Sequence, residues 1–279
     1  MTLRAVLLLL GALCGSLQAA TPTINAASAI LFDANSGRVI YKKNENAPRA
    51  VASTQKLLTA LLVAEAGNLS QRVTIKATDT KAEPTKLYLN PGDTYTRREL
   101  LTALLVKSPN DVARALARDN AGSVTKFAEK MNARMRQLGG KDSHFVTPNG
   151  LPAENQHSTA RDMARVARTA YFHPEIREII QMKTYTFRFA SGKTKLLTNT
   201  NRVLRNYTFC NGMKTGYTNA AGFCLISSGV HDGKEVIAVV FGDSKARIWD
   251  DSAKLLAYGL GLDRSEMAAL EVGREGSRK

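Results

Sequence analysis

The sequence predicts an α+β fold, an antiparallel sheet built from both chain ends with flanking helices and an inserted helical segment. Three observations carry that expectation. Short alternating stretches at 29–33 and 38–42 flank the turn residues Ala34-Asn35-Ser36-Gly37, which is hairpin chemistry. Apolar residues then recur at helical spacing from about 55 to 180. Strand-like stretches return at 184–189, 213–217, 222–228 and 235–241, before a closing helix at 252–258.

Taken in order, a polar stretch at 43–49 leads to Ser53, and 56–66 reads as a strongly apolar helix stopped by Gly67. Thr96 and Glu99 have capping-box spacing and open a second apolar helix to Val106, broken at Pro109. Helical periodicity resumes at 111–121 and again at 123–138, which Gly139-Gly140 closes. After the turn Pro148-Asn149-Gly150, residues 160–170 are helical, with Arg161, Arg165 and Arg168 forming a solvated stripe on one face. The domain is expected over 21–262, and 263–279, with four positive and four negative charges, reads as a polar, disordered tail.

The chain has 279 residues and 44% hydrophobic content, enough to bury a core without staples, and 23% charge, which excludes a disordered chain. Residues 1–20 read as a signal peptide: Arg4, an apolar run of nine residues at 5–13, then small residues for cleavage near Ala19 or Ala20. The run is too short to cross a bilayer, which takes roughly 20 apolar residues. No transmembrane anchor is expected, and the protein is placed in the periplasm or cell envelope. Cleavage removes Arg4 and Cys14 and takes the net charge from +15 to +14. In an exported protein that charge points to anionic envelope polymers rather than nucleic acid. Cys210 and Cys224 remain, on the two arms of an expected hairpin, and either a disulfide or two buried thiols fits their placement.

None of the four histidines, 144, 157, 173 and 231, forms a zinc-ligand pattern, and GxSxG is absent, so no metal or cofactor is expected. A serine nucleophile without histidine needs another base, and lysine is the usual substitute. Two Ser-x-x-Lys segments exist, Ser53-Thr54-Gln55-Lys56 and Ser123-Val124-Thr125-Lys126. Ser53 stands at a helix N-terminus, where backbone N–H groups favour developing negative charge. Lys56, one turn on, reaches the same face, and the apolar helix behind it would depress its pKa. Lys126 falls among Glu129, Lys130 and Arg134 on a solvated helix. Ser108-Pro109-Asn110 stands at a helix break, and Lys214-Thr215-Gly216 on an expected strand.

The order SxxK, SxN, KTG is the signature of the active-site serine penicillin-interacting enzymes. From about residue 27 to 261 the chain resembles the low-molecular-mass penicillin-binding proteins of the D-alanyl-D-alanine carboxypeptidase family. The stretches 33–41, 157–164 and 211–222 are also similar to that family. The resemblance implies the penicillin-binding transpeptidase and β-lactamase type of fold, no cofactor, stem peptides ending in D-Ala-D-Ala as substrate, and β-lactams as covalent inhibitors. It also implies roles: Ser53 as nucleophile, Lys56 as its base, Ser108 as proton relay and Asn110 as holder of Lys56 and the substrate amide. Lys214, Thr215 and Gly216 would meet the substrate, with the backbone N–H groups of Ser53 and Tyr217 as oxyanion hole. Arg247 is a second carboxylate partner or a surface helix charge. The family often has Gly where Pro109 stands, and only 17 residues follow Leu262, as in a short form.

The same chemistry serves a D,D-endopeptidase cleaving cross-links, which stays open. A β-lactamase needs a Glu followed four residues later by Asn between SxN and KTG, and Glu129, Glu154, Glu175 and Glu178 all lack it. A non-enzymatic β-lactam sensor normally follows transmembrane segments, and no stretch here has that length.

Overall fold

A computed structural model describes residues 21–272. The signal-peptide expectation for 1–20 lies outside them. β1 (Ser28–Asp33) and β2 (Val39–Lys43) form a hairpin, and the chain then leaves the sheet. That excursion holds α1 (Lys56–Glu65), β3 (Arg72–Thr74), α2 (Ala77–Thr80), β4 (Thr94–Thr96), α3 (Arg97–Lys107), α4 (Asn110–Ala121), α5 (Val124–Gln137), α6 (Ala160–Phe172) and α7 (Pro174–Ile180). After β5 (Thr184–Arg188), β6 (Thr194–Thr198) and α8 (Arg202–Asn206), β7 (Cys210–Thr218), β8 (Gly222–His231) and β9 (Lys234–Asp243) return to the sheet. The chain then runs into α9 (Ile248–Leu260) and α10 (Arg264–Ala269).

The main sheet has the order β2-β1-β9-β8-β7, every neighbour antiparallel. The central strands β1 and β9 are apolar on both faces because both are covered. Ile30 and Phe32 of β1, and Ile237, Val239 and Phe241 of β9, enter the core under the inserted helices. Their alternates Ala29, Leu31, Val236, Ala238 and Val240 enter a second core against Leu255, Leu256 and Leu260 of α9. A one-residue slip would exchange the two sets, so the register is fixed. Within the inserted layer α1 is buried on nearly every side and packs against α3, α4, α5 and α6. Whatever stands at its N-terminus is held at the centre of the molecule.

Three expectations need correction. The strand at 184–189 does not join the main sheet; β5 pairs with β6 in a separate hairpin that packs its Phe187 and Leu197 into the helical core. Of the three arginines of α6 only Arg165 is exposed as a solvated stripe would be. Arg161 pairs with Glu45 at 2.9 Å, and Arg168 donates from Nε to the Ala34 carbonyl at 2.8 Å, tying α6 to the β1–β2 hairpin. Finally, the tail does not begin at Asp263. Asp263 caps α10, accepting from the Ser265 and Glu266 amides, and Met267 and Leu270 pack on the second core. A balanced charge count concealed a capping box and an i,i+3 apolar pair.

Candidate active site

Ser53 lies on a short 3-10 helix, Ala52–Gln55, fused to the start of α1. The residue before it, Ala52, sits at φ +49, a left-handed conformation that a non-glycine residue holds only where its surroundings impose it. Those surroundings are two glycines. A Cβ on Gly150 (φ +82) would fall 2.1 Å from the Ala52 carbonyl oxygen, and one on Gly216 would fall 2.8 Å from the Ser53 amide nitrogen. The 148–150 turn and strand β7 therefore close on the nucleophile's backbone from two sides, and only glycine lets them do so. The approach of β7 brings Lys214, Thr215, Gly216 and Tyr217 to the site together. Thr215, Gly216 and Tyr217 line the same cleft as Ser53.

Lys56 Nζ donates to Ser53 Oγ at 2.6 Å and to Asn110 Oδ1 at 2.7 Å, while Ser53 Oγ donates to the Asn149 carbonyl at 3.2 Å. Lys56 is 0% exposed and Lys214 is 1% exposed. Burial pushes the Lys56 ammonium well below the usual lysine range, and the charge of Lys214 pushes it the same way; Asp111 pulls in the opposite direction. Burial alone brings Lys214 down to about 7. Its Nζ donates to the Thr215 carbonyl at 2.8 Å. Two buried lysines in such an arrangement can supply an unprotonated amine beside a hydroxyl and a positive field for an anionic ligand.

The turn that carries Ser108 and Asn110 joins α3 directly to α4. Ser108 takes the left-handed conformation, φ +67, as the C-cap of α3, and Pro109, φ −69, is the residue before α4. The departure from glycine at 109 is thus harmless, because positive φ falls on Ser108 and the next position needs a proline-like one. Ser108 Oγ is buried and has no hydrogen-bond partner among the described residues. Asn110 donates from Nδ2 to the Glu83 carbonyl at 2.8 Å, which fixes its amide with Oδ1 toward Lys56.

Ser53, Ser108 and Asn110 line, with Thr215, Gly216 and Tyr217, a cleft of about 340 Å³. Its walls include Pro84, Thr85, Leu151, Thr200 and Trp249, none singled out by sequence reasoning, and Thr200 Oγ1 lies 2.6 Å from Thr215 Oγ1. Pro148-Asn149-Gly150 was legible as a turn, but nothing local says that it touches a residue 96 positions away. Arg247 is exposed just before α9, donates to Asn25 Oδ1, and is not part of the cleft lining. Cys210 and Cys224 are free thiols on opposite faces of the sheet, paired with Gly229 and Gly216 rather than each other, which decides against a bridge. Burial pushes them up to about 12 and about 11. Among the described residues no group of three acidic, histidine or cysteine side chains could hold a metal, and no helix is long and apolar enough to cross a membrane.

Known proteins are similar to this chain. The chain is 35% identical to the D-alanyl-D-alanine carboxypeptidase DacF of Bacillus subtilis, over 78% of this chain and 58% of that protein. It is 34% identical to DacB2 of Mycobacterium tuberculosis, a D-alanyl-D-alanine carboxypeptidase, over 84% and 82% of the two chains. It is 32% identical to the D-alanyl-D-alanine endopeptidase of Escherichia coli, over 85% and 81%. The crystal structure of the Streptomyces K15 DD-transpeptidase superposes with a TM-score of 0.82 at 30% identity, covering 86% of this chain and 99% of that one. A family model described as D-alanyl-D-alanine carboxypeptidase matches residues 16–245, and the chain belongs to that family.

Proposed function

We propose that the protein is an exported serine-type carboxypeptidase that removes the terminal D-alanine from peptidoglycan stem peptides ending in D-Ala-D-Ala. The observation that carries this reading is the contact chain Ser53–Lys56–Asn110, buried beside a second lysine at the end of an open cleft. Neutral Lys56 takes the Ser53 proton as Oγ attacks the carbonyl between the two D-alanines. The oxyanion receives the backbone N–H groups of Ser53 and Tyr217, and Lys214 with Thr215 receives the terminal carboxylate. As the C–N bond breaks, the proton passes through Ser108 to the leaving amine. Water then hydrolyses the ester on Ser53. A β-lactam acylates the same oxygen, because its strained amide and carboxylate occupy the dipeptide's place. Export rests on the leader-like residues 1–20.

The E. coli endopeptidase relative favours a second reading, cleavage of cross-links by the same machinery. Mass spectrometry of purified muropeptides before and after incubation decides between them. Loss of one terminal D-alanine from monomers is expected; conversion of dimers to monomers with the monomers untrimmed would replace carboxypeptidase by endopeptidase.

A further inference from the structure

Asp111 follows the Ser108-Pro109-Asn110 turn in the first turn of α4 and is 1% exposed, yet it forms no salt bridge among the described residues. Its carboxylate is spent on a loop. Besides the Val112 amide at 3.0 Å in its own helix, Oδ1 accepts from the Leu87 amide at 3.1 Å, and Oδ2 accepts from the Tyr88 amide at 2.9 Å and the Leu89 amide at 3.4 Å. Asn110 holds the same loop higher up, its amide donating to the Thr85 carbonyl at 2.7 Å and its Nδ2 to the Glu83 carbonyl at 2.8 Å. Residues 83–89 have no helix or strand of their own, and Pro84 and Thr85 form a wall of the cleft. Tyr88 is 65% exposed at φ +62, so its own packing does not explain the strained backbone. Three backbone amides converging on one buried carboxylate do.

We propose that Asp111 is a positioning residue of the reaction, whose carboxylate hangs segment 83–89 on the start of α4 as the fixed wall of the cleft, next to the Asn110 that holds the base Lys56. The inference rests on Lys56 and Ser53 acting as proposed above. The charged groups acting on Lys56 are Lys214 from β7, which depresses its pKa, and Asp111 from α4, which raises it. Neutralising Asp111 therefore leaves Lys56 unprotonated to lower pH. Loss of the wall is a separate effect, on alignment.

The test is the second-order rate of acylation by a fluorescent penicillin, measured against pH for wild type and Asp111→Asn. Asparagine keeps the shape but accepts through one oxygen only. The rate should fall by roughly 10- to 100-fold, the scale of a misplaced reacting group, and the acid limb should move to lower pH. A carboxylate with a merely structural role would lower the rate without moving the limb, so an unmoved limb overturns the proposal. Wild-type protein that takes no penicillin would strike the Ser53 reading instead. Should Asp111→Asn not fold, amide exchange on the wild type decides: protection of Leu87, Tyr88 and Leu89 comparable to α4 is expected, and exchange at unstructured-chain rates would overturn it.

Discussion

Two segments of this molecule carry the same four-residue pattern and do different things. Ser53 and Ser123 both stand at helix starts, each with a lysine three residues on. Ser123 is the N-cap of α5: φ −150 and ψ 161 are extended, its Oγ accepts from the Lys126 amide, and the Lys126 side chain is exposed. Ser53 caps nothing. It sits inside a 3-10 helix, and its Oγ meets Lys56 Nζ instead of a backbone amide. Spacing brings a lysine to a serine's side of the helix; what lies behind the helix decides whether that lysine is a solvated charge or a base. Behind α1 lies the core, with Asn110 and Lys214 brought in from chain positions far apart.

The sharpest way to break this contrast is to exchange alanine for each serine. Ser53→Ala should abolish covalent labelling by penicillin, and Ser123→Ala should leave it at the wild-type level, read by gel fluorescence and intact mass. Labelling that survives in Ser53→Ala would sink the assignment. Lys56→Arg comes next: arginine keeps the charge but stays protonated, so acylation should fall by at least about 10²-fold, the scale of general-base catalysis. In the wild type, acylation should rise with pH through the depressed Lys56 value and die away in acid, because only the neutral amine accepts the Ser53 proton. Lys126→Arg should change neither quantity.

A smaller but two-sided effect is expected at Lys214. Lys214→Gln should lose roughly 2–4 kcal/mol of transition-state stabilisation, the scale of a charge-assisted bond left unmade, seen in kcat/KM on a peptide ending in D-Ala-D-Ala. If cross-link cleavage survives while carboxypeptidase activity falls, Lys214 reads the terminal carboxylate; if both fall, it chiefly supports Lys56. Stability should move the other way. The folded value, about 7, lies below the ordinary lysine value of 10.5, so the unfolded chain binds the proton more tightly. That burial penalty is fully present below about pH 7 and fades as pH rises toward the unfolded value. Denaturant titration should therefore find Lys214→Gln more stable than wild type at pH 6, with the gap closing by pH 10. A destabilised variant at pH 6 would show that Lys214 is better satisfied than its one carbonyl contact suggests.

How much of this was legible in sequence follows from the range of the interactions. The Thr96–Glu99 capping box and the helix starting after Ser123 were readable because each is closed within four residues. The central strands of the main sheet were readable because two covered faces make them short, nearly continuous apolar runs bounded by turn residues. The site's three motifs were readable as a family resemblance, and their convergence was not derivable from spacing. Asn149 beside Ser53, the loop hung on Asp111 and the Gly216 approach each join segments more than 20 residues apart and leave no periodic trace. The role of Arg168 escaped for a related reason: a helical arginine reads as solvent-facing until the hairpin carbonyls it binds are in place.

The smallest expected effect completes the contrast from the other side. Ser123→Ala removes an oxygen that accepts the Lys126 amide at 3.1 Å, and N-cap losses of this kind cost about 1 kcal/mol. The cost should appear as a lower denaturation midpoint with an unchanged slope, since α5 contributes the same buried Phe127, Met131 and Met135 in both proteins. Ser123→Asp restores an acceptor and adds a charge favourable to the helix N-terminus, so it should recover the loss. Ser53→Ala removes no cap, and it leaves Lys56 its contact with Asn110. Each substitution then moves one readout and spares the other. A Ser123→Ala protein with an unchanged midpoint would mean that the packing of α5 against α1 and α4, rather than its cap, fixes where the helix begins.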